Sequence, residues 1–274
     1  MRVLFVGDIV GDPGMRLACQ VIPWLRQRDG LDLVVANAEN ACDGAGFAPS
    51  QYRRLRKAGV DAFTLGDHVY RKREIIDIMN EPMPRVGKPA NYPAAAPGAA
   101  WLLVPAVDGT LVAVVSLLGR QFMKPADCPF AAAERVLAEI KVKTPLIIVD
   151  IHAEATADKM ALGRWLDGKV SAVLGTHTHV PTADEQILPS GTAYQTDVGM
   201  TGPYDSVLGR RTDRVIAFQR TGVPNAFDVA SGDPRLAGSV IDLNPLTGQA
   251  HAIRRVMVRA ADVPAAAALE AARL

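Results

Sequence analysis

The sequence predicts an α/β protein in which short buried strands alternate with helices. Short runs rich in β-forming residues recur along the chain, and several are continuously apolar, as expected of strands buried on both faces. Segments with helix signals lie between these runs. The predicted strands cover residues 3–7, 33–37, 62–66, 101–106, 111–117, 146–151 and 170–175.

The predicted helices are located by proline positions and by composition. Proline is tolerated in the first turn of a helix, so Pro13 and Pro49 each favour a helix that starts close by. Other segments are rich in alanine and further helix formers. The predicted helices cover residues 15–28, 51–58 and 131–141, with a terminal helix over 264–274.

One pair of strands is predicted to be antiparallel. The apolar runs 101–106 and 111–117 are joined by a segment that contains Asp108-Gly109, and Asp-Gly is a hairpin signal. An antiparallel pair among strands that otherwise alternate with helices indicates a mixed sheet.

Length and composition predict one globular domain over residues 1–274. The chain is 49% hydrophobic and 22% charged, as is typical of a folded globular protein. The formal net charge is only +1, and no long block of one sign occurs, which argues against binding to long nucleic acid or to a membrane surface. Small anionic substrates are compatible with this composition.

The cysteines indicate a reducing compartment. Cys19, Cys42 and Cys128 are few, odd in number and widely spaced, which argues against a disulfide framework or a cysteine-based zinc site. The apolar run 3–6 is too short for a signal sequence, and no later stretch is long enough to span a bilayer. We therefore predict a cytoplasmic protein.

Polar and ionisable side chains follow several of the predicted strands. Ligands collect beyond the carboxyl ends of parallel strands, where loops project into one crevice. A mixture of carboxylate, amide and imidazole ligands suits iron, manganese or zinc better than magnesium or calcium. The sequence thus predicts a pair of divalent transition metals. The candidate residues are Asp8, Glu39, Asn40, Asp67, His68, His152, His177 and His179.

Each of these residues also has a purely structural interpretation. An isolated Asp after a strand, such as Asp8, commonly caps a turn or a helix, and Glu39-Asn40 could end a strand by hydrogen bonding to its turn. The pair His177 and His179 is more specific, because two imidazoles at alternate positions rarely serve packing alone. The structural alternative is an ordinary α/β scaffold whose histidines are hydrogen-bonded loop residues.

In combination, the motifs resemble those of calcineurin-like metallophosphoesterases. More narrowly, they resemble the bacterial YmdB-like branch, whose members are implicated as phosphodiesterases acting on 2′,3′-cyclic nucleotides. The resemblance implies a single metallophosphoesterase domain folded as a four-layer αββα sandwich with mixed sheets. It also suggests self-association. The motifs are Gly7-Asp8, Asn37-Ala38-Glu39-Asn40, Gly66-Asp67-His68, His152, Gly175-Thr176-His177-Thr178-His179 and the segment 197–205.

The resemblance implies a role for each candidate residue. Glu39 would bridge two metal ions, with iron as the first choice and manganese or zinc as alternatives. Asp8, Asn40 and His179 would complete the site of the first ion, and Asp67, His152 and His177 that of the second. The implied reaction is attack on a small phosphodiester by a hydroxide that bridges the metals. His68 would face the substrate and either protonate the leaving oxygen or stabilise the developing charge.

Two positions bear on how closely the chain follows the family. Val10 stands two residues after Asp8, where the wider superfamily has histidine and the YmdB-like branch lacks it. Asp67 stands where the family usually has Asn, which lowers the formal charge of a two-metal site by one unit. The extra anion should tighten metal binding and make the metal pair a weaker Lewis acid.

Two other functions are compatible with the same motifs. A phosphomonoesterase or protein phosphatase would use the same metal pair and differ in the shape of its pocket. A regulatory protein could use a weakly active metal site to sense nucleotides. Asp67 keeps the second alternative open, because its charge could dampen catalysis.

Overall fold

The computed structural model describes residues 1–265 and contains two six-stranded sheets. The predicted terminal helix falls on residues 264–274 and therefore lies almost entirely outside the described residues. Within residues 1–265, no helix is long and apolar enough to cross a membrane.

As far as residue 176, strands alternate with helices as the sequence predicts, apart from the predicted antiparallel pair; the strands after residue 176 were not predicted. In chain order they are β1 (Arg2–Val6), α1 (Gly11–Asp29), β2 (Leu33–Asn37), α2 (Pro49–Lys57), β3 (Ala62–Thr64), α3 (Ile75–Met79), β4 (Leu102–Pro105), β5 (Leu111–Leu118), α4 (Pro129–Ile140), β6 (Ile147–His152), α5 (Thr156–Leu166), β7 (Ala172–Thr176), β8 (Gln186–Ile187), β9 (Ala193–Gln195), β10 (Gly202–Asp205), α6 (Thr212–Thr221), β11 (Gly232–Leu243) and β12 (Ala250–Arg259), followed by a short 3₁₀ turn, Ala260–Asp262.

Both sheets are mixed, as predicted. The first has the order β10-β11-β1-β2-β3, with β12 also paired to β11; β1, β2 and β3 are parallel, and β11 runs antiparallel to β1. The second has the order β4-β5-β6-β7-β9-β8, with parallel strands at its centre and antiparallel β4 and β8 at its ends. The predicted β4–β5 hairpin is confirmed.

The two sheets pack face to face with helices outside them. Successive side chains of a strand point to opposite faces, so Val3 and Phe5 of β1 pack between the sheets, whereas Leu4 and Val6 pack against α1. On the far side of the second sheet, α4 and α5 cover a third apolar cluster. The four-layer αββα sandwich is therefore confirmed.

Local signals explain where the long first helix stops. Gly30 adopts a left-handed backbone conformation, with φ of 62°, and its N–H donates to the carbonyl of Arg26. A residue with a side chain is disfavoured in this conformation. The helix therefore ends at Asp29, and the chain turns directly into β2, the neighbour of β1.

The β11–β12 hairpin was not predicted from the sequence. Only Ala250, Val256 and Val258 of β12 are buried, and most of its other residues are exposed. β11 includes Pro234 and Gly238, which weaken a strand pattern. Its place beside β1 is set by long-range pairing, for example Phe5 with Ser239.

We expect the layer between the sheets to carry much of the stability. Phe5 is fully buried there, so Phe5→Ala should lower the free energy of unfolding by about 3–5 kcal/mol in urea titrations. Phe122 is 89% exposed, and Phe122→Ala should change it by less than about 0.5 kcal/mol. Equal effects of the two substitutions would contradict this packing.

Candidate metal centre

The edges of the two sheets bring the predicted residues together. Parallel strands of both sheets end at this edge, and the candidate side chains stand at or just after those ends. They are Asp8 after β1, Glu39 and Asn40 after β2, Asp67 and His68 after β3, His152 at the end of β6, and His177 and His179 after β7. The loops from the two sheets are joined directly, because the His177 N–H donates to Asp8 Oδ2 at 3.1 Å.

One group of side chains comes from the ends of four different strands, two in each sheet. Glu39, Asp67, His152 and His177 each place one ligand atom so that all four atoms lie within 4.8 Å of one another. Glu39 Oε1 is 3.0 Å from His152 Nε2, and Asp67 Oδ1 is 3.5 Å from the same nitrogen. His177 Nδ1 lies 3.6 Å from Asp67 Oδ1. This geometry can hold a metal ion.

A second group lies beside the first and consists of Asp8, Asn40 and His179. Asp8 Oδ1 is 3.7 Å from His179 Nε2, and Asn40 Nδ2 is 3.3 Å from that nitrogen. Asn40 also links the two groups, because its Nδ2 lies 3.4 Å from Glu39 Oε1. Glu39 therefore contacts Asn40 of this group and His152 of the first group.

Two buried carboxylate oxygens test whether this arrangement fits metal ions. Asp8 Oδ1 and Asp67 Oδ1 are both buried, and neither has a hydrogen-bond partner among residues 1–265. An ionised oxygen left unsatisfied in the interior is costly, and a cation removes that cost. One of these oxygens lies in each group. The residues therefore fit two cations, and the mixture of carboxylates and imidazoles fits transition metals.

Hydrogen bonds on the outer side of each ring orient the imidazoles. His152 Nδ1 lies 2.8 Å from Thr176 Oγ1, and His179 Nδ1 lies 3.1 Å from the carbonyl of Leu208. A carbonyl can only accept, so His179 Nδ1 carries the proton and its Nε2 is free to coordinate. His177 has the opposite arrangement, with Nε2 3.3 Å from Glu154 Oε2 and Nδ1 facing Asp67. Partners of this kind raise the basicity of metal-ligating histidines.

The pKa shifts of Asp8 and His152 show that positive charge stabilises the buried carboxylates. Burial alone would raise the pKa of Asp8, but the nearby imidazole of His179 outweighs it and holds the pKa well below its usual range. Burial would lower the pKa of His152, but the nearby carboxylates of Glu39 and Asp67 raise it well above its usual range. Protonated imidazoles and cations satisfy the same carboxylates.

A buried polar network behind His152 was missed in the sequence. Asp150 is fully buried and accepts hydrogen bonds from Thr176 Oγ1 at 2.6 Å and from Asn37 Nδ2 at 2.9 Å. Because Thr176 donates to Asp150, its oxygen accepts the proton of His152 Nδ1. Burial raises the pKa of Asp150 to about 6, against the charge of His152 and the hydrogen bonds from Thr176 and Thr64. The sequence signal that could have revealed this network is Asp150 itself, a carboxylate inside the apolar run 146–151.

A buried ion pair supports the loop that presents His177 and His179, and it was also missed. Both histidines have positive φ angles, 88° and 63°. Between them, the Thr178 N–H donates to Asp197 Oδ2 at 3.2 Å, and Lys159 Nζ lies 2.7 Å from that same oxygen. Lys159 is fully buried. A buried, multiply bonded pair of this kind can hold an unfavourable loop conformation in place.

His68 lies beside the cluster rather than within it. Its backbone N–H donates to Glu39 Oε2 at 3.1 Å, and its Nδ1 lies 2.8 Å from Asn40 Oδ1. Its Nε2 is 3.8 Å from Asp67 Oδ2, and the side chain is 24% exposed. The ring is therefore fixed at its inner nitrogen and open at its outer one, at the mouth of the centre.

Known proteins resemble this chain over most of its length. Residues 4–256 match the model of a family described as YmdB-like protein. The chain belongs to the YmdB-like family. The chain is 45% identical over 258 residues to the 2′,3′-cyclic-nucleotide 2′-phosphodiesterase of Bacillus subtilis, covering 94% of this chain and 97% of the relative.

Two crystal structures resemble this member of the YmdB-like family. A hypothetical protein from Thermus thermophilus is 43% identical with a TM-score of 0.88, and the match covers 94% of this chain and 99% of that one. A novel phosphatase from Mycoplasma pneumoniae is 30% identical with a TM-score of 0.87, covering 94% and 93%.

We expect the Thr176 hydroxyl to control metal affinity through His152. Thr176→Val keeps the shape of the side chain but removes the acceptor for His152 Nδ1. It should weaken metal binding about 10- to 100-fold, measured by competition with a chromophoric chelator. Thr176→Ser keeps the hydroxyl and serves as the matched control. Equal metal affinities of the two variants would show that the hydroxyl does not orient His152.

Proposed function

We propose that this protein is a metal-dependent phosphodiesterase that hydrolyses 2′,3′-cyclic nucleotides. The observation that carries the proposal is the pair of buried, unpartnered carboxylate oxygens of Asp8 and Asp67, set among imidazoles with His68 at the mouth. This arrangement suits two cations and one proton donor beside an anionic substrate. The choice of substrate is supported by the name of the Bacillus subtilis relative.

In this proposal, Glu39 is shared between two metal sites. Asp8, Asn40 and His179 would complete the first, and Asp67, His152 and His177 the second. Two bound divalent ions polarise phosphoryl oxygens and lower the pKa of water. Iron is the proposed metal, with manganese and zinc as alternatives. The additional charge of Asp67, in place of the usual Asn, would favour tight metal binding.

His68 would deliver the proton that the leaving oxygen requires. The water oxygen forms a new bond to phosphorus, one bond between phosphorus and a ribose oxygen breaks, and that oxygen takes a proton from His68 Nε2. The proton must therefore reside on Nε2, the outer nitrogen. In the structure Asn40 Oδ1 faces His68 Nδ1 and Asn40 Nδ2 faces His179; turning the amide over would bring its nitrogen to His68 Nδ1, to which it would donate and so leave the proton on Nε2. The amide oxygen would then face His179, as coordination by Asn40 requires.

We further propose that the protein acts on a small-molecule substrate in the cytoplasm. Free Cys19, Cys42 and Cys128 are consistent with a reducing compartment. The formal net charge of +1 provides no electrostatic attraction for long nucleic acid. Self-association stays a prediction.

Metal removal and reconstitution test the proposed activity. The chelator-treated protein should be inactive, and anaerobic addition of Fe²⁺ should restore hydrolysis of 2′,3′-cyclic nucleotides, with about two equivalents of tightly held metal. Parallel assays with Mn²⁺ and Zn²⁺ identify the preferred ion. Faster turnover of p-nitrophenyl phosphate than of diesters would favour a phosphomonoesterase. Tight nucleotide binding without turnover in any metal form would favour a sensor, and less than one equivalent of metal would contradict the centre.

The proton-donor role predicts a dependence on the leaving group. In metal-loaded protein, His68→Ala should slow hydrolysis of a 2′,3′-cyclic nucleotide about 10²- to 10⁴-fold, because an alkoxide leaves poorly without a proton. Hydrolysis of bis-p-nitrophenyl phosphate should be affected much less, since p-nitrophenolate leaves unprotonated. Metal content is measured alongside. Equal losses on both substrates at full metal content would rule out the acid role.

A further inference from the structure

We infer that Lys124 binds the phosphate of the substrate at the mouth of the metal centre. The inference rests on the proposed function and adds a specific recognition residue to it. Lys124 Nζ lies 3.7 Å from Asp67 Oδ2, and the lysine side chain is 57% exposed whereas that of Asp67 is 13% exposed. The ammonium group therefore stands between the centre and solvent.

The two oxygens of Asp67 face different surroundings. Oδ1 is directed towards His152 and His177, at 3.5 and 3.6 Å. Oδ2 is directed outwards, where His68 Nε2 lies at 3.8 Å and Lys124 Nζ at 3.7 Å. An imidazole and an ammonium group thus converge on the same outer oxygen. A phosphodiester that reaches His68 would also come within reach of Lys124.

Lys124 is the only lysine or arginine in residues 1–265 with a nitrogen within 4 Å of Asp8, Glu39 or Asp67. Those three carboxylates would offset most of the charge of two divalent ions and so weaken the attraction for an anion, which gives a nearby positive charge a clear electrostatic role. An exposed lysine–carboxylate pair contributes little to stability. A contribution to stability therefore does not account well for a lysine beside Asp67.

The loop that carries Lys124, residues 119–127, is fastened at both ends. At its start, Asp158 Oδ2 accepts the N–H groups of Arg120 and Gln121 at 2.7 and 2.9 Å. At its end, the Asp127 N–H donates to the carbonyl of Asn91, and Asn91 Nδ2 donates to the carbonyl of Asp127, both at 3.0 Å. These bonds limit the region that the lysine can reach.

The chemistry of the ammonium group fits a phosphate ligand. It carries three N–H donors and no acceptor, so one can point to Asp67 while the others point to the phosphoryl oxygens. Lysine acts as a compact point charge towards phosphate and does not require one fixed orientation. The interaction would exist in both the bound substrate and the transition state. Removing it should therefore affect binding more than the chemical step.

Lys124→Gln tests this inference, with Lys141→Gln as the control. Lys141 is exposed at the end of α4, so its replacement changes net charge equally and leaves the centre intact. In metal-loaded protein, Lys124→Gln should raise KM for a 2′,3′-cyclic nucleotide about tenfold, with kcat within about twofold. Titration calorimetry should show inorganic phosphate binding weakened by a similar factor. Metal content should not change, and Lys141→Gln should match the wild type.

The outcomes separate this inference from the proposed function. If the wild type hydrolyses cyclic nucleotides but Lys124→Gln leaves both KM and phosphate binding unchanged, Lys124 forms only a surface ion pair and the inference is wrong. If Lys124→Gln loses metal and kcat together, the lysine acts on the centre and not on phosphate, which also overturns the inference. If the wild type hydrolyses no diester but binds phosphate through Lys124, the inference stands and the proposed function fails.

Discussion

The burial of three carboxylates at one edge of the sandwich is the constraint on which the rest of the structure depends. Asp8 and Glu39 are almost completely inaccessible to solvent, and Asp67 is largely so. Uncompensated buried charges are strongly unfavourable, so this edge is stable only if positive charge accompanies them. The imidazoles of the two sheets supply part of it, and the free oxygens of Asp8 and Asp67 leave room for cations. The centre thus links the two sheets chemically as well as spatially.

This convergence also requires backbone to approach side chains very closely. A Cβ atom at Gly66 would lie 2.2 Å from His152 Nε2 and 2.4 Å from Glu39 Oε2, well inside contact distance. At Gly175, a Cβ atom would lie 1.7 Å from the carbonyl oxygen of Thr196. Glycine is needed at both positions because any side chain would push the ligand-bearing loops apart. The motifs Gly66-Asp67-His68 and Gly175–His179 therefore include a packing requirement in addition to their polar residues.

The sequence reveals the candidate centre better than its supports, and the reason is physical. Residues such as Asp8 or His177 follow apolar runs, so each one carries a local signal, and the common edge of parallel strands brings them together. Asp150 and the Lys159–Asp197 pair function through partners far away in the chain, for example Asn37 for Asp150 and Thr178 for Lys159. No local pattern reports such partners. The β11–β12 hairpin was missed for the same reason, because its place is set by pairing with β1.

Asp67 alters the charge balance in a way that the sequence alone could not resolve. Taken by itself, its negative charge lowers the positive charge that a two-metal centre offers to an anionic substrate. In the folded protein that charge is divided between two directions, since Oδ1 faces His152 and His177 while Oδ2 faces His68 and Lys124. The inner oxygen can therefore strengthen metal binding while the outer one is offset by a lysine ammonium group. Asp67 therefore need not weaken catalysis, because the positive charge of Lys124 offsets its negative charge on the side from which the substrate enters.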